Sequence, residues 1–367
     1  MKTIRRLIYR EVLAAVAFVT LGFLALFFFF DLVDELRWVG RSPGYQLRHA
    51  LLYIALALPN HLYELLPITV LIGTIFVMAR LAQSSEFTIM RTSGLGPWRA
   101  LRTLLALGGF FVVLTFAVGD YLAPLADRAA QLVKAKYRGV ISTGATGAWL
   151  RETQGEVSFV VNVRALGAEG QMLDLRLFAF DPQGRMVART HVAHAQFVPE
   201  GGWLLQQIDH TSYHWTAPEA PARIEHLQWP QWHWKTQISA DMVAAAVLKP
   251  DRMATIDLFQ YIRHLEANGQ AAQRYEIEFW RKVFYPLSCL VMVVLALPFA
   301  YLHFRSGGIA SYVFGGVMAG ISFFLLNNVF GFVGSLQHWA PWLAAAIPGL
   351  LYSLLSLAAF AWLVLRR

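Results

Sequence analysis

From Ser306 to Leu365 the chain runs 60 residues without an Asp, Glu, Lys or Arg. A helix on a water-facing surface needs a polar side, so no ordinary soluble fold accommodates such a run. About 20 apolar residues cross the hydrocarbon of a bilayer, so the stretch is long enough for two spans. The polar break Ser335-Leu336-Gln337-His338, with Pro341 after it, divides them. Upstream, Val12–Phe30 holds 19 uncharged residues between Arg10-Glu11 and Asp31. Ala50–Ala79 contains Pro59 and Pro67 and one Asp, Glu, Lys or Arg, which is Glu64; it predicts a tilted or kinked span. Thr103–Gly119 gives 17 uncharged residues closed by Asp120, and Val283–Phe304 gives 22 with Pro286 near the start. Six spans are expected. Only 15% of the residues are charged and the mean hydropathy is +0.46. Soluble domains are about 25% charged, so a soluble enzyme and a disordered chain are both excluded.

The start, Met1-Lys2-Thr3-Ile4-Arg5-Arg6, looks like the charged head of a signal peptide. The apolar run behind it is too long, and it ends in Phe27-Phe28-Phe29-Phe30 where a cleavage site would need small residues. It reads as a retained span. Orientation follows from the Lys/Arg asymmetry. With the N-terminus inside, the cytoplasmic segments carry eleven cations: Lys2, Arg5, Arg6, Arg10, Arg80, Arg91, Arg99, Arg102, Arg305, Arg366 and Arg367. The opposite short loops carry three, Arg37, Arg41 and Arg48. Both termini are therefore expected in the cytoplasm, with residues of roughly 120–280 outside. The net charge of +8 reflects these loops and not a nucleic-acid surface. Cys289 is the one cysteine, which excludes a disulfide framework and any Cys-based metal or redox motif.

Between the third and fourth expected spans the chain changes character. Val157, Phe159, Val161 and Val163 alternate with other residues, as do Leu173, Leu175, Leu177 and Ala179. A period of two predicts half-buried strands. Asp181-Pro182-Gln183-Gly184 and Pro199-Glu200-Gly201-Gly202 read as turns. The organisation expected is spans one to three over 1–138, an inserted all-β domain over 139–250, a connector over 251–275 and spans four to six over 276–367. In the connector, Ile256, Phe259, Ile262 and Leu265 share a helical face and Asn268-Gly269 supplies the stop.

Chemical motifs are missing. No GxxxxGK[ST], GxSxG or HExxH occurs, so neither a nucleotide loop, a nucleophile elbow nor a zinc helix is expected. His191 and His194, three apart in a strand, are expected on opposite faces. His210, His214, His226 and His233 read as strand histidines. The reading has no catalytic residue and no metal site. Asn327-Asn328 reads as interhelical glue.

Two features remain. The loop Arg80-Leu81-Ala82-Gln83-Ser84-Ser85-Glu86-Phe87-Thr88-Ile89-Met90-Arg91-Thr92-Ser93-Gly94 predicts a short cytoplasmic helix ending at Gly94. Leu81, Ser85, Thr88 and Ile89 would fall near one face, with Glu86 on the flank. Such a ridge suits the groove of a soluble motor, with the charge fixing register; a plain interfacial helix is an equal alternative from these residues alone. Second, Asp34, Arg37 and Arg41 share a face if the first span continues as a helix, and Lys134 and Arg138 lie four apart past the third. They suit phosphates of an anionic lipid, or ordinary snorkelling anchors.

The sequence resembles the LptF/LptG family of lipopolysaccharide-export permeases over nearly its whole length, and its G-type subunits most. The stretches that carry the likeness are Val33-Asp34-Glu35-Leu36, Leu81-Ala82-Gln83-Ser84-Ser85-Glu86, Trp234-Lys235-Thr236 and Tyr261-Ile262 through Gly269-Gln270. Trp280-Arg281-Lys282-Val283-Phe284-Tyr285-Pro286-Leu287-Ser288, Gly320-Ile321-Ser322-Phe323 and Phe330-Gly331 complete them. The resemblance implies an α-helical membrane protein of six transmembrane helices (3+3) with an inserted periplasmic β-jellyroll-like domain. It implies one half of an inner-membrane pair with an F-type paralogue (LptF), driven by a cytoplasmic LptB ATPase dimer. LptC and LptA would act in the periplasm. ATP and Mg would be bound by the ATPase, leaving this chain without a cofactor. The resemblance further makes Glu86, Ser85, Ile89 and Arg91 the ATPase-coupling residues. Arg37 and Lys134 match basic cavity positions, while Asp31, Asn60 and Trp38 stand where cations are expected. Either the cations have moved to Arg41 and Arg138, or the lipid differs in charge. A non-transporting scaffold that presents the β domain is the alternative class, and the loop over 80–94 argues against it. A lipid enzyme comes third, lacking a nucleophile or metal set.

Overall fold

The computed structural model describes residues 2–41, 44–138, 147–167, 170–198, 201–215, 222–240, 242–243, 250–301 and 309–365. The chain divides into two compact units. One comprises Met1–Asp34, Ile54–Ala126 and Glu276–Arg367, the other Glu35–Tyr53 and Asp127–Tyr275.

The first unit is helical. Its elements are α1 (Lys2–Leu36), α2 (Leu47–Gln83), α3 (Glu86–Thr92), α4 (Pro97–Ala117), α7 (Gln273–Phe284), α8 (Ser288–Ala296), α9 (Ile309–Leu336) and α10 (Pro341–Leu365); the end of α1 and the starts of α2 and α7 belong to the second unit. Pro59 and Pro67 both lie inside the continuous α2. Among the described residues, five helical stretches are long and apolar enough to cross a membrane: Thr3–Leu36, Leu47–Gln83, Pro97–Lys134, Ala310–Leu336 and Pro341–Trp362. A sixth is formed only if the pair Gln273–Phe284 and Ser288–Tyr301, bent by 46°, counts as one span. This departs from the uncharged fourth span expected over Val283–Phe304. The helical segment begins ten residues earlier, in a charged stretch, and breaks where Pro286 has no N–H to donate. Polar partners explain how the charges are held. Arg281 donates to Glu278 and to Asn328, both at 3.0 Å, and buried Lys282 donates to the Gly119 carbonyl at 3.2 Å.

Small residues let these helices approach closely. A Cβ on Gly73 would lie 2.7 Å from Val16 Cγ2, and one on Gly119 would lie 2.3 Å from the Tyr63 ring. Gly119 belongs to a π-helical turn, Val118–Leu122, that joins α4 to α5 (Ala123–Arg138). A large packed cluster runs from Val12 and Val16 of α1 through Val77, Met78 and Leu81 of α2 to Leu104 and Phe111 of α4 and Val293 of α8.

The second unit contains six antiparallel strands in sequence order: β1 (Ala148–Gln154), β2 (Val157–Leu166), β3 (Met172–Phe180), β4 (Met186–Phe197), β5 (Trp203–His214) and β6 (Arg223–Trp234). The alternation seen in β2 and β3 puts Val161, Val163, Leu175 and Leu177 in the buried row. That row slips by one residue midway along the sheet. Buried Met172 is followed by buried Leu175, Val192 by Ala195 and Leu205 by Ile208, with positive φ at Asp174 and Gln207. Such irregularities bend a sheet. Pro230 faces Gln207 on the edge strand β6, where no ladder donor is needed. The slip also corrects one expectation: His191 and His194 fall on the same side, away from the buried row. The sheet rolls until the chain after β6 reaches β1. Gln154 donates to the Lys235 carbonyl at 2.9 Å, the backbone N–H of Gln237 donates to Glu152 at 2.7 Å, and Thr236 bonds the same carboxylate. At the other end of β6, Ile224 and Leu227 stay exposed, so the rolled sheet is open there.

Candidate functional site

The loop after α2 folds as a hook with a buried and an exposed side. α2 runs to Gln83, and Ser85 breaks the helix with φ of 60°. The short helix α3 then turns back through Glu86–Thr92. Gly94, at φ of 98°, ends it as expected. The Leu95 N–H reaches the Met90 carbonyl and the Gly94 N–H the Arg91 carbonyl, both at 3.0 Å. This is a Schellman closure, and its usual apolar contact is available from Leu95 and Met90, both buried.

Seven residues cannot hold a helix in water alone, so packing must hold it. Phe87 is 2% exposed and meets the Tyr301 ring edge-on at 4.9 Å, and Met90 is buried beside the same cluster. Sequence reasoning passed over both anchors, although their i, i+3 spacing between polar residues was the available signal. Arg91 places its guanidinium 5.3 Å from the Tyr301 ring centre, so it is partly spent on anchoring. Leu81, expected on the ridge, is buried inside α2. The exposed side presents Ser85, Glu86, Thr88 and Ile89, the last at 63% exposure. Glu86 stands in the first turn, where the helix dipole favours a negative charge. The hook therefore offers one acid and one aliphatic side chain on a fixed base.

The basic candidates lie together in the second unit but not as expected. α1 ends at Leu36, so Arg37 and Arg41 sit in a turn and not on one helical face; Gly40, at φ of 83°, makes that turn. Both arginines are exposed. Lys134 lies on α5, half-buried, donating to Tyr53 Oη at 3.3 Å with its ammonium 4.6 Å from the ring centre. Arg138 closes α5, and its side chain lies outside the described residues. An aromatic cluster joins these elements. Tyr45 donates to buried Glu35 at 2.5 Å, and the Tyr137 and His49 rings stack at 4.2 Å. Asp31 and Asn60 are engaged in the first unit. Asp31 accepts from His61 Nε2 at 2.8 Å and Asn60 donates to Glu64 at 3.0 Å.

The strand histidines have ordinary partners. His191 meets Asp174 at 2.7 Å, His210 meets Thr190 at 2.8 Å and stacks on Trp229, and His226 meets Thr211 at 3.0 Å. Among the described residues no three His, Cys, Asp or Glu side chains are grouped to hold a metal.

Known proteins agree with this layout. The chain is 29% identical over 338 residues to the lipopolysaccharide export system permease protein LptG of Escherichia coli K12, covering 91% of this chain and 90% of that protein. It is 26% identical over 372 residues to the protein of the same name from Haemophilus influenzae, covering 100% of this chain and 99% of that protein. The profile of the family described as lipopolysaccharide export system permease LptF/LptG matches residues 6–365. A match of that extent decides against a scaffold or a lipid enzyme: the chain belongs to the LptF/LptG family of lipopolysaccharide export permeases.

Proposed function

We propose that this chain is the G-type permease of an inner-membrane export complex, paired with an F-type paralogue and driven by a cytoplasmic LptB dimer. In that reading both termini and the α3 hook face the cytoplasm. The rolled sheet faces the periplasm and passes lipopolysaccharide towards LptC and LptA. ATP and Mg belong to the ATPase, and this chain needs no cofactor of its own. The hook carries the proposal: Phe87 and Met90 tie it to the helical core, while Glu86, Ser85 and Ile89 are left for a partner's groove.

The physics of the cargo supports the division of labour. Lipid A acyl chains total on the order of 60–70 methylenes, and at roughly 0.8 kcal/mol each their exposure to water would cost about 50 kcal/mol. No single hydrolysis event supplies that. The lipid must slide from bilayer to an apolar cavity between the permeases and then into an open sheet. The sheet's uncovered end, with Leu227 and Ile224 of β6 exposed, supports such a path. Arg37, Arg41, Lys134 and Arg138 are the residues proposed to meet the lipid phosphates, by charge-assisted hydrogen bonds.

Glu86→Lys tests the coupling. The reconstituted complex should lose most ATP-dependent lipopolysaccharide release, with the helical bundle still folded. Normal release and normal retention of the ATPase in that variant would remove Glu86 from the mechanism.

A further inference from the structure

α6 (Thr255–Ala267) buries Leu258, Tyr261, Ile262 and Leu265 within its own unit, yet turns Ile256 and Phe259 outward at 60% and 46% exposure. Arg263, exposed one turn on, holds its guanidinium 6.0 Å from the centre of the Phe259 ring. One exposed apolar side chain needs no explanation. What matters here is where the pair is held. Arg252 donates to Asp127 at 2.8 Å and Arg128 pairs with Asp257, so two ion pairs fasten the start of α6 to α5.

α5 is the outer part of the apolar span Pro97–Lys134. The hydrocarbon begins past Arg99 and Arg102. About 20 residues from Thr103, roughly 30 Å of helix, bring it to an end near Leu122. Asp127 and Arg128 then lie about 7 Å farther along, in the headgroup layer. The end of α6 tied to that level is its apolar end. Arg263 and Glu266 follow toward the C-terminus.

We propose that α6 is an interfacial anchor whose Ile256 and Phe259 enter the headgroup and acyl boundary of the outer leaflet, with Arg128 and Arg263 meeting phospholipid phosphates. Two observations favour lipid over a protein partner. Among the described residues of α6 the patch is two side chains wide, far short of the ~800 Å² per partner of a stable protein interface. It is flanked by exposed cations on long apolar stems, the pattern that snorkels at a bilayer surface. The inference rests on the membrane span and on the orientation proposed above, and not on lipopolysaccharide export itself.

Spin labels at Ile256→Cys, Phe259→Cys and Glu266→Cys, introduced one at a time into the full chain in its complex, test it. Cys289, the one native cysteine, is fully buried, and the unsubstituted chain controls for its labelling. The complexes are placed in phosphatidylethanolamine and phosphatidylglycerol vesicles free of lipopolysaccharide, and collision with oxygen and with a water-soluble nickel chelate is measured. Positions 256 and 259 should favour oxygen several-fold and position 266 the nickel chelate. Preference for nickel at 256 and 259, exclusion of both reagents, or an oxygen preference that appears only after lipopolysaccharide is added would each overturn the proposal. The first means water, the second a protein cover, the third the cargo itself.

Discussion

Replacing Phe87 by Ala isolates what holds the α3 hook. The side chain is 2% exposed, packed edge-on against Tyr301 and enclosed by a large helical cluster. Truncating a buried Phe costs about 3–5 kcal/mol. The seven residues of α3 have no reserve, since isolated helices shorter than about 12–15 residues are marginal in water. The loss therefore falls on local opening of the hook and not on the bundle, whose spans keep their own contacts. Each 1.4 kcal/mol is tenfold, so the open population should rise between about a hundred-fold and a few thousand-fold. Hydrogen exchange of the reconstituted complex, followed in peptides covering 84–95, reads this directly. Protection there should collapse while peptides from α4 and α9 keep theirs, and ATP-driven release should fall with it. Glu86→Lys is the companion variant, because Glu86 is exposed: exchange in 84–95 should stay normal while release is lost. Unchanged exchange in Phe87→Ala would refute the anchoring argument, and uniform loss across the bundle would refute the claim that the hook opens alone.

The lipid-phosphate proposal predicts that Arg37→Glu combined with Lys134→Glu reduces photocrosslinking of lipopolysaccharide to this chain several-fold, with assembly intact; unchanged crosslinking makes them anchors only. Burial lowers the pKa of His210 in β5 and of His264 in α6, although nearby Glu152 pulls His264 upward. The unfolded chain therefore takes up protons below about pH 6.5 that the folded unit resists, and stability should fall as pH drops from 7.5 to 5.5. Lower protection factors of β4–β6 peptides at the lower pH, once the slower intrinsic exchange there is divided out, check this, and His210→Gln should remove part of the difference. Gly119→Ala would drive a methyl to 2.3 Å from the Tyr63 ring. Overpacking of this kind costs about 1–3 kcal/mol, so the complex should melt several degrees lower, and an unchanged midpoint would mean the π-helical turn relaxes freely.

Membrane spans and strands were legible because each imposes a period or a run that local sequence cannot disguise. The 60 uncharged residues from Ser306 became α9 and α10, and the alternation from Val157 became β2. The polar start and the bend of the fourth span were not legible, because the uncharged run says nothing of the helix before it. Arg281 and Lys282 lie in that helix, and Glu278, Asn328 and the Gly119 carbonyl, distant in sequence except for Glu278, accept their hydrogen bonds. The slip in the sheet was equally hidden. It rests on positive φ at Asp174 and Gln207, residues whose type permits that geometry without demanding it. At the candidate sites, sequence marked the polar contacts and missed their support: Glu86 and Ile89 were visible, Phe87 and Tyr301 were not, because the pair meets across 214 positions of chain.

In the proposed mechanism a permease driven by a separate ATPase faces a conflict that the hook resolves in its two sides. The contact with a motor must be exposed and exchangeable, which favours a small polar surface such as Glu86 with one aliphatic neighbour. The transmission behind it must not yield, because a base that opens under load spends the stroke on itself. An aromatic pair buried beside the ends of α2 and of the segment that follows α8 meets the second demand. Phe87 ties the hook to Tyr301, which follows α8, and Leu81 carries α2 directly into it. Under the proposed coupling, force delivered at Glu86 would reach two separate helices, α2 through the chain and α8 through packing. A loop of the same sequence without Phe87 would keep the contact and lose the stroke, so the two variants must fail differently: one in local protection, the other only in coupling.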